Sequence, residues 1–490
     1  MNRSDGWSWR TFWVSLVARS SLLGLWGLAT PLFAVPDEPA HFLRAAGVVR
    51  GQLTGPPGMP TAVDVPPALE STRLQAGCFA FQPRVPADCA PGYSGPTDGP
   101  DRRAFTQAGR YPPGYYALVG LPTLAWTDLA SLYAVRGVSA ALCAGLLAAA
   151  VTAAACTGSR LLVAGVGVAV TPMALFLSSG ANPSGPEVAA AVALWSAGLA
   201  LVLAGGPPSR PVLTTAGLAA VVLLLSRPIS PFWVALIGLS LLLVAGGRRC
   251  LELGRHRSVQ VWLGVLVLAG ALQAAWVLGV GALDLYGAGQ SLTLGERVEG
   301  SLVRTDERLQ QMVGWFGWLD TPAPVGVHIA WASAVVALVV LGMRGAVRRR
   351  AALLVALVVG AVLVPVALEV PSANAVGFFW QGRYTLPLAV GVPLVAAVAA
   401  SRRRPVPVPL LAALLAVLGV CHVLGFVTAL GRYTVGAGSG WGLVDVVWSP
   451  PLPALALAVA AGLATLAWSV LLLLVPVARA QAPVDQPAAV

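Results

Sequence analysis

The segment Pro36-Asp37-Glu38-Pro39-Ala40-His41-Phe42 sets two carboxylates close to an imidazole. These groups can do acid–base work. With a helix opening near Pro39, Glu38 and His41 stand three apart and Asp37 and His41 four apart, spacings that share a helix face. A carboxylate there can act as general base or help hold a divalent cation, and it can fix the imidazole in one tautomer. A structural reading competes. Asp37 or Glu38 caps the helix, and Pro39 fits its first turn. Capping accounts for one acid but not for both acids together with His41.

Three further stretches carry reactive or recognition groups. Gln381-Gly382-Arg383-Tyr384 puts a guanidinium and a phenol at the mouth of an apolar run. A guanidinium suits phosphate oxygens and a phenol adds a hydrogen bond; the alternative is an interfacial anchor. Asn182 to Glu187 forms a polar turn whose acid either contacts a sugar hydroxyl or pairs with Arg136 or Arg227. Tyr111-Pro112-Pro113-Gly114-Tyr115-Tyr116 opens a short apolar piece, where its rings either anchor the chain or grip a lipid or sugar. Arg227, in the break Ser226-Arg227-Pro228, either faces an anion or snorkels to the interface. No phosphate-binding glycine loop, zinc spacing or nucleophile elbow is present. An enzyme built from these groups would draw its energy from an activated substrate such as a lipid-linked donor.

The elements that position these groups are membrane spans. The chain is 57% hydrophobic and 10% charged, with a mean hydropathy of +0.78. Runs of roughly 17–25 apolar residues recur along it, which reads as an all-α polytopic membrane protein. About twelve spans are expected, near 12–33, 133–156, 161–178, 186–204, 212–226, 230–246, 258–280, 326–343, 351–369, 384–400, 406–430 and 452–476. A short apolar piece near 113–127 is expected to lie along the interface or re-enter. The spans make one membrane domain over 1–476, and an Ala/Pro-rich tail, 477–490, is expected to be disordered.

Every one of the 31 basic residues is arginine, and the net charge is +11. The excess does not mark a nucleic-acid binder. Arg160, Arg210, Arg248, Arg249, Arg344, Arg348 and Arg402 to Arg404 fall in alternate short loops with almost no acids beside them, Glu252 being the exception, and nearly all the acids fall in the others. This asymmetry predicts a multi-pass cell-membrane protein with both termini cytoplasmic and the loops 34–112, 281–325 and 370–383 exported. The loop 281–325 contains an amphipathic stretch, Leu292 to Phe316. A fourth exported loop, near 431–451, carries Arg432, Trp441, Asp445 and Trp448. In an exported loop, Cys78 and Cys89 are expected to form a disulfide, the alternative being two free thiols.

Four stretches together, PDEPAHFLRA (36–45), YPPGYYALVGLP (111–122), NPSGPEVAAA (182–191) and QGRYTLPL (381–388), resemble the bacterial integral-membrane family catalogued as domain of unknown function 2142. The resemblance covers about 20 to 430. That family looks related to the GT-C glycosyltransferases, multi-span enzymes that take a sugar from a polyprenyl-phosphate donor on the outer face. The resemblance implies a GT-C-like fold with an acid in the first exported loop as base or metal-site carboxylate. Asp37 and Glu38 stand there, with His41 as a neighbouring partner. Arg383, Tyr384 and Arg227 would hold the donor phosphate. Tyr111, Tyr115, Asn182, Glu187 and Gln381 would line the substrate. The implied partners are membrane lipids, a polyprenyl-phosphate-linked sugar and a cell-envelope glycan or lipid acceptor. Two other readings stand beside it: a transporter or flippase of an envelope precursor, whose polar groups would reach both faces, and a non-catalytic assembly partner.

Overall fold

The computed structural model describes residues 6–55, 59, 61–91, 99–284, 289–401 and 406–478. Arg402, Arg403, Arg404 and nearly all of the 477–490 tail lie outside them. Among the described residues, nine helices are long and apolar enough to cross a membrane, and two bent pairs bring the number to eleven. The span expected at 212–226 is a helix of 17 residues, Arg210–Ser226. At 1.5 Å per residue it reaches ~25 Å, the short end of what crosses a hydrocarbon core. Twelve therefore overcounts the full-length spans by one.

The apolar runs coil because lipid offers no partners for backbone N–H and C=O groups. Polar residues mark where helices begin. Ser8, Asp128, Ser159 and Thr171 each accept a hydrogen bond from a backbone N–H of the turn that follows. Thr171 and Pro172 also break one span, so that Arg160–Ala169 and Pro172–Ser178 meet at 66°. Ser184–Leu203 runs through the centre, with 83% of its apolar window buried, and Leu129–Cys156 and Arg210–Ser226 pack on it. Val325–Gly345 lies against Gly391–Ala400. A Cβ on Gly345 would sit 2.5 Å from the Ala399 carbonyl oxygen, so glycine is what lets these backbones approach.

The connections gather at two ends. Arginine-rich turns share one end, where Arg249 donates to the Leu201 carbonyl and Arg349 to the Val244 carbonyl. The long loops share the other. Loop 34–112 holds the helix Glu38–Val49, an antiparallel pair of Ala62–Val65 with Arg102–Phe105, and a Cys78–Cys89 disulfide. The piece near 113–127 is two short helices, Pro113–Val119 and Pro122–Ala125, which pack on Glu38–Val49. Pro122, three residues past Val119 and the first residue of the second helix, stops the first from running on into a span. The amphipathic stretch is two helices, Leu294–Leu302 and Thr305–Val313, followed by a hairpin of Trp315–Phe316 with Thr321–Pro322. Two boundaries differ from expectation. A helix begins at Gly382 and another continues to Thr434, so Arg383 and Arg432 are helix residues rather than loop residues.

Candidate active site

Asp37 and Glu38 are adjacent, yet the backbone sends them to different surroundings. Asp37 precedes the helix Glu38–Val49 with φ 60°, in the left-handed region, and its side chain does not cap that helix. The capping reading of Asp37 is thus not what the structure contains. Glu38 is buried. Its carboxylate accepts from Arg136 Nε at 2.7 Å, from Arg136 Nη2 at 2.6 Å and from the Ala181 backbone N–H at 2.9 Å. Arg136, carried by Leu129–Cys156, also donates to the carbonyls of Gly27, Thr30 and Pro31. Both Glu38 oxygens are therefore engaged: a fork-to-fork ion pair plus a backbone donor ties the start of its helix to two spans.

Asp37 is open by contrast. Its side chain is 36% exposed, and its Oδ2 accepts from Arg383 Nη2 at 2.5 Å. Arg383 is only 2% exposed. The same Nη2 reaches Tyr384 OH at 3.3 Å, while Arg383 Nε and Nη1 are buried with no hydrogen-bond partner among the described residues. Arg227 approaches from the break between Arg210–Ser226 and Ser230–Ala245. It pairs with Glu187 at 3.3 Å and lies 4.1 Å from the centre of the Tyr384 ring, and Tyr111 OH accepts from its Nη2 at 3.4 Å. Glu187 also accepts from Ser230 Oγ at 2.6 Å. Two guanidiniums thus share one tyrosine ring beside one half-open carboxylate, with donors to spare.

The charges set the protonation states. Burial raises the Asp37 pKa, but the Arg383 guanidinium, helped by Arg227, outweighs it and holds the carboxyl below its ordinary range. Burial drives the His41 imidazole down to about 3, with Arg383 and Arg227 adding to the effect and Asp37 opposing it. His41 is therefore neutral at neutral pH. Its Nδ1 shares a hydrogen bond with Tyr116 OH at 2.8 Å, and its ring lies against Tyr111. Asp37 is ionised and His41 is not, a division suited to one base and one neutral neighbour.

Not every expected residue joins this cluster. Tyr115 is buried, with its OH bonded to Ser139 at 3.0 Å. Asn182 is buried and donates to the Pro36 carbonyl at 2.7 Å, so it holds the Asp37 turn by its backbone. Gln381 stands two residues before Arg383, and its buried Oε1 has no partner among the described residues. Three groups absent from the sequence reading hold the turn carrying Arg383. Gln311 Oε1 accepts from Gly382 N at 2.7 Å, and Glu369 accepts from Trp380 N at 2.7 Å while paired with Arg308. Gln311 and Arg308 lie on the buried side of the amphipathic stretch; that side was the available signal. Both Glu38 oxygens already accept hydrogen bonds from Arg136. Among the described residues no three His, Cys, Asp or Glu side chains come together around a metal position.

The family described as "Predicted membrane protein (DUF2142)" matches residues 21–392, more than half of the chain. No curated protein matches the sequence. Among solved structures, the crystal structure of ArnT from Cupriavidus metallidurans in the apo state is similar at a TM-score of 0.41 and 15% identity, over 95% of this chain and 77% of that one. A likeness at that level decides nothing about the chemistry of this chain.

Proposed function

This chain belongs to the DUF2142 family of membrane proteins, and from that premise we propose that it is a membrane glycosyltransferase of GT-C type, moving a sugar from a polyprenyl-phosphate donor to a cell-envelope glycan or lipid on the extracytoplasmic face. One observation carries the reading. A buried guanidinium, Arg383, has two nitrogens with no partner among the described residues and a third on Asp37, a carboxylate 36% exposed. Buried N–H donors are seldom left unpaired, and an anionic oxygen satisfies them best.

The chemistry follows from the charges. Unliganded, Asp37 is a weak base because Arg383 stabilises its anion. A donor phosphate on Arg383 and Arg227 would compete for those N–H groups and bring negative charge next to Asp37. Both effects raise its pKa and make it a better base. Asp37 then takes the proton of an acceptor hydroxyl, whose oxygen attacks the anomeric carbon of the sugar. The bond from that carbon to the phosphate oxygen breaks, and the polyprenyl phosphate leaves with the electron pair. Arg383 and Arg227 stabilise the charge that develops on it. Glu38 is a structural carboxylate on this reading, and His41 a neutral neighbour of Asp37.

The flippase reading draws on Arg19, a fully buried arginine midway along Trp9–Ala29, stacked 3.4 Å over the Trp468 ring. Purified protein in lipid vesicles, offered polyprenyl-phosphate sugars and envelope acceptors, separates the two. The transferase releases polyprenyl phosphate and loses that release in Asp37→Asn. Movement of the donor between leaflets without any release would overturn it in favour of the flippase.

A further inference from the structure

The turn from Thr30 to Asp37 has no regular structure, so no helix or sheet ladder pairs all its carbonyls. Arg136 takes Thr30 and Pro31, and Asn182 takes Pro36. Phe33 and Ala34 are held from the other side, by Trp318 Nε1 at 3.2 Å and by Tyr433 OH at 3.2 Å. Trp318 belongs to the hairpin loop between Phe316 and Thr321, and Tyr433 to the last turn of Val408–Thr434. Arg432 joins these two holders. It is 2% exposed, and its Nη2 donates to Asp320 Oδ2 in the same hairpin loop at 2.9 Å.

Loop 34–112 takes most of the rest of the Arg432 fork, while its buried Nε has no partner among the described residues. Nη2 donates to the carbonyls of Phe79 at 2.7 Å and Gln82 at 3.1 Å, and Nη1 to that of Val85 at 2.7 Å. All three carbonyls lie inside the ring that the Cys78–Cys89 disulfide closes. Phe81 of the same ring stands edge-on to Trp318, 5.4 Å between centroids. Ala437, three residues beyond Thr434, donates its N–H to the Pro83 carbonyl at 2.7 Å.

We propose that the disulfide-closed ring 78–89 is a carbonyl socket for Arg432, and that the socket fixes the position of Asp37 through Trp318 and Tyr433. Arg432 is a positioning residue. An open chain would have to be ordered, residue by residue, to aim three carbonyls at one guanidinium, and closing the ring removes much of that entropy in advance. The turn needs such holding. Phe33 and Asp37 both have positive φ, 66° and 60°. Such conformations persist in residues other than glycine where the surroundings over-determine them. Loosening the holders lets the turn relax and carries Asp37 away from Arg383.

The consequence for turnover rests on the transferase reading; the clamp itself does not. Hydrogen exchange on the full chain in lipid nanodiscs tests the clamp directly. The amides of Ala34, Glu38 and His41, bonded to the carbonyls of Pro31, Val35 and Asp37, report the turn. Three variants are compared with wild type: Cys78→Ser with Cys89→Ser, Arg432→Lys, and Trp318→Phe. The last removes one N–H and keeps an aromatic ring, so it guards against misfolding of the other two. Exchange over 31–42 is expected to quicken about tenfold or more in all three, with 184–203 unchanged. In the turnover assay kcat falls roughly tenfold to a hundredfold while donor KM stays near wild type, because Arg383 and Arg227 are untouched. Faster exchange confined to 76–90, or a Trp318→Phe protein with wild-type protection over 31–42, overturns the clamp. Absence of turnover in wild type would sink the transferase and leave the exchange result to judge the clamp alone.

Discussion

Replacing Glu38 with glutamine is expected to damage the fold, and replacing its neighbour Asp37 with asparagine the chemistry. Glu38 accepts three hydrogen bonds, two from Arg136 and one from the Ala181 N–H. Glutamine keeps one acceptor and turns an NH2 group toward an Arg136 nitrogen that is itself a donor. Arg136 then remains buried with only the carbonyls of Gly27, Thr30 and Pro31 for partners. Removing one member of a buried pair costs ~3–5 kcal/mol, and the three carbonyls keep this case near the lower end. A loss of about 3 kcal/mol multiplies the unfolded fraction by roughly 10². Asp37 is 36% exposed, so solvent screens its pair with Arg383, and Asp37→Asn is expected to cost only on the order of 1 kcal/mol. Its turnover falls instead, by about 10²–10⁴, the usual contribution of a positioned general base. Melting followed by tryptophan fluorescence in nanodiscs, beside polyprenyl-phosphate release at equal folded protein, reads both axes. A Glu38→Gln protein that melts with wild type, or an Asp37→Asn protein that turns over within tenfold of it, refutes the division of labour.

Other outcomes follow from the same geometry. Arg383→Lys keeps a charge but loses the fork, so donor KM is expected to rise about tenfold or more in titrations of turnover against donor. His41 has a folded pKa of about 3, lowered from 6.5. The neutral form is thus favoured in the fold, and the unfolded chain binds the extra proton below pH 6.5. Stability from this group is complete above pH 6.5 and declines as pH falls toward 3, by at most about 1.4 kcal/mol per pH unit. Denaturant unfolding at stepped pH should show the slope of wild type shallower in His41→Asn by one proton. In Gly382→Ala the new Cβ would meet the Arg308 carbonyl oxygen at 2.2 Å. The turn carrying Arg383 must shift, weakening donor binding, while Gly137→Ala, which meets nothing within 4 Å, serves as the neutral control in the same binding assay.

Much of the fold was legible because lipid allows so few solutions. A run such as 133–156 has to be a helix, and only its ends were uncertain: Leu129 instead of 133, Thr434 instead of 430. Arg432 was missed as a socket residue for that reason. Read as a loop residue near a belt of aromatics, it showed nothing of its three carbonyl partners, which are backbone groups and leave no mark in side-chain identity. The pair Asp37–Glu38 was legible as a place but not as two roles. Helical spacing grouped Asp37 with His41 on one face, but a positive φ at Asp37 breaks the assumption on which that spacing rests. Tyr115 and Asn182 bond to Ser139 and to the Pro36 carbonyl, contacts the sequence could not separate from a ligand's, because a tyrosine or asparagine beside a proline turn reads the same in either case.

The long-range pairs explain why a working carboxylate had to be found by geometry. Arg136–Glu38, Arg227–Glu187, Arg308–Glu369, Arg432–Asp320 and Arg383–Asp37 each join an arginine to an acid far away in sequence. Residue types alone make these five pairs equivalent. In the first four the acid is almost wholly buried, and it is matched by its arginine together with hydroxyls or backbone groups. Such pairs staple loops to spans, and opening one would strand a charge in a poorly hydrated place. Asp37 breaks the pattern. Its arginine is as buried as the others, but the carboxylate is 36% exposed, and two of the arginine nitrogens, against one each on Arg308 and Arg432, have no partner among the described residues. A staple with unused donors and an exposed acid is poor stabilisation. It is what a site needs when an anion must enter, take the guanidinium, and leave the carboxylate free to accept a proton.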